Sequence, residues 1–380
     1  VEMVAVARVL FWLSVAVAPV TGTATPSTIG AADPRVVWSG RTLAANGAVS
    51  FDWLGVTARV AVAKATYVIA SINTTARARG TRLKAYIADQ GFGLYPEVQF
   101  WVSPVGSPEH VLVVSNGYLD TTVTLENLVD PQYGTGVTTV VSFTTDGEFS
   151  QAVPVAKGRR IEFIGDSITA ATNVVRPEEA PHCGDGGFQS DWSQTYEGRL
   201  CHRFNADCST IAVGGKCVMR ECGGLQMPDY YQSRFYRDAP SRTWDFGGEW
   251  QPDAIFIDLG TNDARVIPSA GGDAFVAQTL AFMKNATELY SKPDIEFFLN
   301  AGPMENTTMN LTLSAISQAN DMGMHATFVD MTTACATARY HAPDDTDLCD
   351  GCAGHPGIEG HRGMYEAAWP VMAKVMGWDD

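Results

Sequence analysis

The chain has 380 residues, which is enough for two domains, and 46% of them are hydrophobic, as in an ordinary globular protein. Acidic residues outnumber basic residues by 42 to 26, which gives a formal net charge of −16 at pH 7. Because this excess repels phosphate backbones and anionic membrane surfaces, it argues against nucleic acid as a partner and favours a neutral ligand.

The N-terminus has the residue order of a secretory signal peptide. The single basic residue Arg8 precedes an apolar stretch over 9–20, and small residues follow up to Ala24. This stretch is shorter than the roughly 20 residues of an ordinary bilayer span. We therefore predict a signal peptide over 1–24, cleavage near Thr25, a secreted product and no membrane span after cleavage. A buried apolar strand is the alternative.

The eight cysteines all lie between residues 183 and 352, and an even number in a secreted protein favours disulfides over free thiols. The short separations suggest local bridges between Cys201 and Cys208 and between Cys217 and Cys222. Four Asn-x-Ser/Thr sequons predict a glycoprotein, and they start at Asn73, Asn285, Asn306 and Asn310.

From residue 36 to residue 149, short β-forming runs are separated by Gly, Pro, Asn and Asp, with no convincing helix between them. Strands at such close spacing predict a β-sandwich or jelly-roll domain, which we place at 35–152. The segment has no catalytic constellation of its own.

After residue 157 the pattern changes to apolar strands that alternate with longer segments of helical period. The strands read IEFIG, STIAV, AIFIDLG, IEFFLN and TFVDM. This alternation predicts an α/β domain over 158–380, with helices on both faces of a parallel sheet. Active sites in such sheets lie at the carboxyl ends of the strands, where Ser167, Gly215 and Asn262 are expected.

Acyl transfer by serine needs a nucleophile, a base and donors for the developing oxyanion. Ser167 in GDSIT supplies a candidate nucleophile and a backbone N–H. Gly215 offers a second N–H that no side chain obstructs, and Asn262 in GTND offers an amide. His355, next to Pro356, is the candidate base. This chemistry requires no metal or organic cofactor.

The four blocks occur in the order found in GDSL or SGNH hydrolases, which they resemble. Residues 36–378 resemble carbohydrate esterase family two, which joins a jelly roll to a flavodoxin-like SGNH domain. The likeness is carried by FIGDSIT, MPDYYQ, LGTNDA, AGPM and HPGIEGH. It implies Ser167 as nucleophile, His355 as base, and Ser167, Gly215 and Asn262 as the oxyanion hole.

The resemblance implies a secreted serine esterase that hydrolyses acetyl esters on an oligo- or polysaccharide, in the manner of an acetylxylan esterase. One alternative is another short-acyl esterase or lipase, because one fold hosts many substrates. A carbohydrate-binding protein with a degenerate site is a second alternative. The oligomeric state is left open.

One position departs from the family pattern, in which an Asp lies three residues before the histidine. That position is Cys352, and a thiol is a weak acceptor. Because related members orient the histidine with a backbone carbonyl, we predict a Ser167–His355 dyad supported by a carbonyl near Ala353. Asp350 is the fallback acid.

Three further groups of residues leave alternatives open. Trp192 and Tyr196 are candidates to line a sugar cleft, although aromatic residues are more often core. Asp166 and Asp263 are expected to buttress their loops. A zinc cluster is a less favoured alternative to disulfides, with the ligands Cys349, Cys352, His355 and His361.

Overall fold

The fold is seen in a computed structural model, which describes residues 25–75, 80–87, 98–133, 136–152, 158–175, 189–248, 250–335, 351–352 and 354–378. The predicted signal peptide, Asp350 and Ala353 lie outside the described residues. No helix in the described ranges combines the length and apolar character needed to cross a bilayer.

Ten strands of the described chain form one antiparallel sheet. They are β1 (Ser27–Gly30), β2 (Val37–Ser39), β3 (Leu43–Ala45), β4 (Ala48–Phe51), β5 (Thr57–Thr74), β6 (Thr81–Ile87), β7 (Val98–Val102), β8 (Glu109–Asn127), β9 (Thr138–Thr145) and β10 (Glu148–Ser150). The main order is β3-β4-β9-β5-β8-β6-β7. β1 pairs with β9, so residues upstream of position 35 also belong to this sheet.

The long strand β5 shows why this sequence forms a curled sheet. Val60 and Val62 are buried, and the register with β8 shifts between Val62 and Ala65, where Lys64 adopts a φ of 54°. Val68, Ala70 and Ile72 then resume the alternation of buried positions. A bulge of this kind bends a strand and lets one sheet curve around its own core.

The second sheet has five parallel strands in the order β12-β11-β13-β14-β15. These strands are β11 (Arg160–Gly165), β12 (Asp207–Ala212), β13 (Ala254–Asp258), β14 (Glu296–Ala301) and β15 (His325–Asp330). The central strand β13 is buried at every position. Burial on both faces explains its continuous apolar run.

Helices lie on both faces of the parallel sheet, as predicted. They are α1 (Tyr196–Arg203), α2 (Met227–Tyr230), α3 (Ile267–Ala270), α4 (Gly272–Tyr290), α5 (Met309–Asp321) and α6 (Ile358–Met376). Phe282 of α4 and Ile255 belong to one buried cluster, whereas Met364 of α6 and Phe256 belong to the other.

The antiparallel and parallel sheets share one continuous core. Ile164 and Ile255 of the parallel sheet belong to the same buried cluster as Val60 and Phe143 of the antiparallel sheet. A buried ion pair also joins the two, because the Arg41 guanidinium lies 3.0 Å from Glu162 Oε1 and both side chains are fully buried.

Two of the predicted local disulfides are present, Cys201–Cys208 and Cys217–Cys222. Both close short loops beside the parallel sheet. The first joins the end of α1 to β12, and the second lies downstream of the Gly214–Gly215 turn.

Candidate active site

Ser167 lies in a tight turn that follows β11. Gly165 begins the turn, and a Cβ there would lie 2.1 Å from Thr169 Oγ1, so only glycine fits. The Asp166 carboxylate accepts a hydrogen bond from the Ile168 N–H at 3.0 Å, which closes the turn. Ser167 itself is 9% exposed, so its hydroxyl is held in a fixed and mostly buried position.

Ser167 and His355 meet in space although 188 residues separate them. Ser167 Oγ lies 2.8 Å from His355 Nε2. This distance is within hydrogen-bond reach, as general-base activation of a hydroxyl requires. The two residues are brought together because one follows β11 and the other precedes α6 on the same edge of the sheet.

The turn that carries His355 is closed by backbone groups. The His355 N–H donates to the Cys352 carbonyl at 3.0 Å, and Asn173 Nδ2 donates to the same carbonyl at 3.2 Å. A Cβ on Gly351 would lie 1.9 Å from the His355 carbonyl oxygen, so this position requires glycine. Because Asp350 and Ala353 are outside the described residues, the choice between them as the group that orients His355 stays a prediction.

Gly215 lies in the loop that follows β12 and is exposed. Its φ is +76°, a region that favours glycine, and a Cβ there would meet no heavy atom within 4 Å. Glycine is therefore favoured here by the backbone conformation and not by lack of space for a side chain.

Asn262 ties the strand-end loops together. Its Nδ2 donates to Asp166 Oδ2 at 2.9 Å and to the Lys216 carbonyl at 3.3 Å. The amide thus spans from the Ser167 turn to the Gly215 loop. Both of its hydrogens have partners, and the bond to Lys216 is the longer one.

Buried carboxyl groups organise the same loops. Burial, and then the nearby Asp258 carboxyl, raise the pKa of Asp166 well above its usual value. Asp263 accepts from the Met219 N–H at 2.8 Å and the Val218 N–H at 3.3 Å, and burial raises its pKa to about 6. The buttressing role expected of Asp166 and Asp263 agrees with these contacts.

Trp192 and Tyr196 do not line a cleft. Trp192 is 5% exposed and Tyr196 is fully buried, and both pack in the core between α1 and α6. Tyr196 Oη lies 2.9 Å from Thr169 Oγ1, so its hydroxyl supports the nucleophile turn from below. Burial in the core was the alternative left open for these residues, and it is the commoner outcome for aromatic side chains.

The residues proposed as an alternative zinc cluster have other partners. Cys352 is disulfide-bonded, and Cys349 lies outside the described residues. His361 is fully buried, its Nδ1 accepts from the Tyr196 N–H at 3.3 Å, and burial lowers its pKa to about 3.

Elsewhere in the described part of the chain, a search for three ligands within reach of one metal finds Cys217, Cys222 and Asp263. Cys217 and Cys222 form a disulfide and therefore offer no thiolate.

Two residues at the site escaped prediction because they come from the β-sandwich half. Asp130 and Gln132 follow β8, and the Asp130 carboxylate accepts a hydrogen bond from the Gly214 N–H. These positions have no sequence motif. Only the structure shows that Asp130 is a fully buried acid.

The class of protein follows from a hydroxyl–imidazole pair in the strand-end loops of a parallel sheet, an arrangement that carboxylic-ester hydrolases use. The chain belongs to the GDSL-like lipase/acylhydrolase family, whose model matches residues 161–368. The resemblance noted in the sequence is thereby confirmed.

Similar proteins include two curated relatives. An acetylxylan esterase / glucomannan deacetylase of Cellvibrio japonicus is 23% identical over 250 residues, which are 64% of this chain and 64% of that protein. The cellulase/esterase CelE of Acetivibrio thermocellus is 26% identical over 238 residues, which are 60% of this chain and 27% of that protein. The chain thus matches less than two thirds of the length of each.

Among solved structures, a family two carbohydrate esterase from Cellvibrio japonicus is similar with a TM-score of 0.75. The two chains are 19% identical, and the match covers 94% of this chain and 99% of the other. This similarity confirms the predicted fold class, an SGNH parallel-sheet domain preceded by a β-sandwich domain.

Proposed function

We propose that this protein is a serine esterase that removes acetyl groups from carbohydrate. The observation that carries the proposal is the 2.8 Å separation between Ser167 Oγ and His355 Nε2 at the carboxyl edge of the parallel sheet. A lone hydroxyl at a strand end would be a cap or a turn residue, whereas a hydroxyl paired with an imidazole can be deprotonated as it attacks.

In the proposed reaction, Ser167 Oγ attacks the acetyl carbonyl carbon while His355 Nε2 takes the hydroxyl proton. The tetrahedral intermediate collapses as His355 returns that proton to the sugar oxygen, which leaves as a hydroxyl. Water then attacks the acetyl-serine while His355 takes one of its protons. The second intermediate collapses as His355 returns that proton to Ser167 Oγ, and acetic acid leaves and ionises to acetate. Atoms and charge balance without a cofactor.

The developing oxyanion would be stabilised by the backbone N–H groups of Ser167 and Gly215 and by the Asn262 amide. Asn262 keeps its shorter bond to Asp166, which fixes the amide plane. The longer bond to the Lys216 carbonyl is the one an oxyanion would replace. If Asn262 Nδ2 gives up its bond to the Lys216 carbonyl, it can donate to the oxyanion as negative charge develops there. A donor that binds the transition state more strongly than the ground state lowers the barrier.

Two observations favour acetylated carbohydrate as the substrate class. The curated relatives are named as an acetylxylan esterase / glucomannan deacetylase and a cellulase/esterase. The net charge of −16 suits a neutral polysaccharide better than an anionic lipid surface. A secreted location is part of the proposal, supported by the signal-peptide pattern and by two disulfides.

The test is acetate release from acetylated sugars and polymers, scored by the position of the ester, with longer acyl esters in the same panel. Ser167→Ala should abolish turnover, because losing the nucleophile of a serine hydrolase costs about a million-fold. Ser314→Ala on α5, away from the site, is the matched control. Activity of Ser167→Ala within tenfold of the parent would refute the assignment, and faster turnover of long acyl chains would favour the lipase alternative.

A further inference from the structure

The β-sandwich half of the protein contacts the glycine loop of the proposed oxyanion hole. Asp130 follows β8 and is fully buried, and its Oδ2 accepts a hydrogen bond from the Gly214 N–H at 3.1 Å. Gln132 completes the contact, because its Nε2 donates to Asp130 Oδ2 at 2.6 Å and its backbone N–H donates to Asp130 Oδ1 at 2.8 Å. The carboxylate therefore accepts three hydrogen bonds, one of which crosses to the catalytic half.

Two consecutive glycines make this loop unusually dependent on outside contacts. Gly214 and Gly215 have no side chains to restrict their torsions, so neither residue fixes the direction of the next N–H. Upstream, the Val213 N–H donates to the Gly165 carbonyl at 3.2 Å. Downstream, the Cys217 N–H donates to Gln226 Oε1 at 2.9 Å. Between these anchors, Asp130 holds the Gly214 N–H.

The contact has a direct geometric consequence for Gly215. Holding the Gly214 N–H fixes the orientation of the peptide plane that precedes Gly214. Only the two backbone torsions of Gly214 then decide where the Gly215 N–H points. The next N–H along the chain is the one proposed to face the oxyanion. Packing adds to this restraint, because a Cβ on Gly214 would lie 2.2 Å from Gln132 Nε2.

We infer that Asp130 is a positioning residue for the oxyanion loop, so that the β-sandwich half completes the esterase site. The inference rests on the proposed function, since a positioned N–H matters only if Ser167 performs acyl transfer. Asp130 touches no reacting atom. It acts through Gly214 by keeping the Gly215 N–H aimed at the oxygen on which charge develops.

The competing explanation is that Asp130 only fastens the two halves together. The chain offers a matched control for that role in Glu162, which is fully buried and binds Arg41 from the β-sandwich half at 3.0 Å. Glu162 also accepts hydrogen bonds from the Tyr231 and Tyr290 hydroxyls. It is the third residue of β11, three residues before the strand ends at Gly165.

The experiment compares Asp130→Asn with Glu162→Gln in the full chain, measuring kcat and KM for a chromogenic acetyl ester and Tm for each protein. Asn keeps the shape of Asp but turns an N–H₂ group toward the N–H donors. Asp130→Asn should lower kcat by about 10- to 100-fold with KM nearly unchanged, because a misdirected catalytic group costs that much. Glu162→Gln should lower Tm and leave kcat within about twofold.

A second pair of variants tests the same contact without removing the buried carboxylate. Gly214→Ala places a methyl group against Gln132 at a φ that other residues adopt, and it should lower kcat. Adding Gln132→Ala makes room for that methyl group. The double variant should therefore be faster than Gly214→Ala alone, a rescue that general destabilisation does not produce.

Failure of the inference is distinguishable from failure of the proposed function. If the parent shows no acetyl-ester turnover that depends on Ser167, the proposed function is wrong and the inference is lost with it. If the parent is active but Asp130→Asn keeps its kcat, Asp130 is only a structural link. If Asp130→Asn does not fold, the second pair of variants decides. The inference is overturned if the loss of kcat in the double variant equals the product of the losses in Gly214→Ala and Gln132→Ala, because there is then no rescue.

Discussion

Replacing Asn262 with alanine tests whether this residue is a catalytic oxyanion donor or only a structural cap. The structure gives the amide two hydrogen bonds, at 2.9 Å to Asp166 and at 3.3 Å to the Lys216 carbonyl. Asn262→Ala removes both, together with the proposed third oxyanion donor. The cost in the two measurable quantities can therefore be worked out separately.

For catalysis, losing one oxyanion donor lowers kcat by about 100- to 1,000-fold, equivalent to about 2.7–4 kcal/mol in the barrier. For stability, the lost bond leaves a buried oxygen of Asp166 without this donor, which costs about 1–3 kcal/mol. Asp166 would then lack one of the donors that favour its ionised form, so its raised pKa should rise further.

The assay is steady-state hydrolysis of a soluble acetyl ester well below the Tm of the variant, beside urea unfolding of the same preparation. Ser317→Ala, at an exposed position on α5 outside the sequons, serves as the control. The expected result is a large fall in kcat with little change in KM. If Tm falls but kcat stays within about threefold of the parent, Asn262 is a structural cap and the oxyanion assignment is refuted.

Two further predictions concern the histidines. Asp350→Asn should cost less than about tenfold in turnover if a backbone carbonyl orients His355, a barrier change below roughly 1.4 kcal/mol. It should cost up to about 10,000-fold if Asp350 is the triad acid, so kcat of this variant decides between them. His361 has a folded pKa lowered to about 3, so the unfolded chain binds its proton first and stability falls as pH drops below 6.5. His361→Gln should flatten that loss, which reaches about 1.4 kcal/mol per pH unit in urea unfolding between pH 6.5 and 4; equal slopes in parent and variant would contradict the assignment.

The features that the sequence determined by itself are those encoded within a few residues. Parallel strands buried on both faces are continuous apolar runs, so β11 and β13 were predictable as strands. The residues that follow such strands must lie at one edge of the sheet, which located Ser167, Gly215 and Asn262. Cysteines five and seven residues apart can bridge without long-range folding, and both short disulfides are present.

Only the tertiary structure decided which distant side chains meet. Asp130 and Gly214 are 84 residues apart, and Arg41 and Glu162 are 121 residues apart. Their contacts depend on how the two sheets pack, which no local pattern records. The same reason applies to Tyr196, because residues near a nucleophile in sequence face either the cleft or the core according to the helix that carries them. Short segments of sequence identify the candidate catalytic residues. Their relative positions depend on packing between segments that are far apart in the chain.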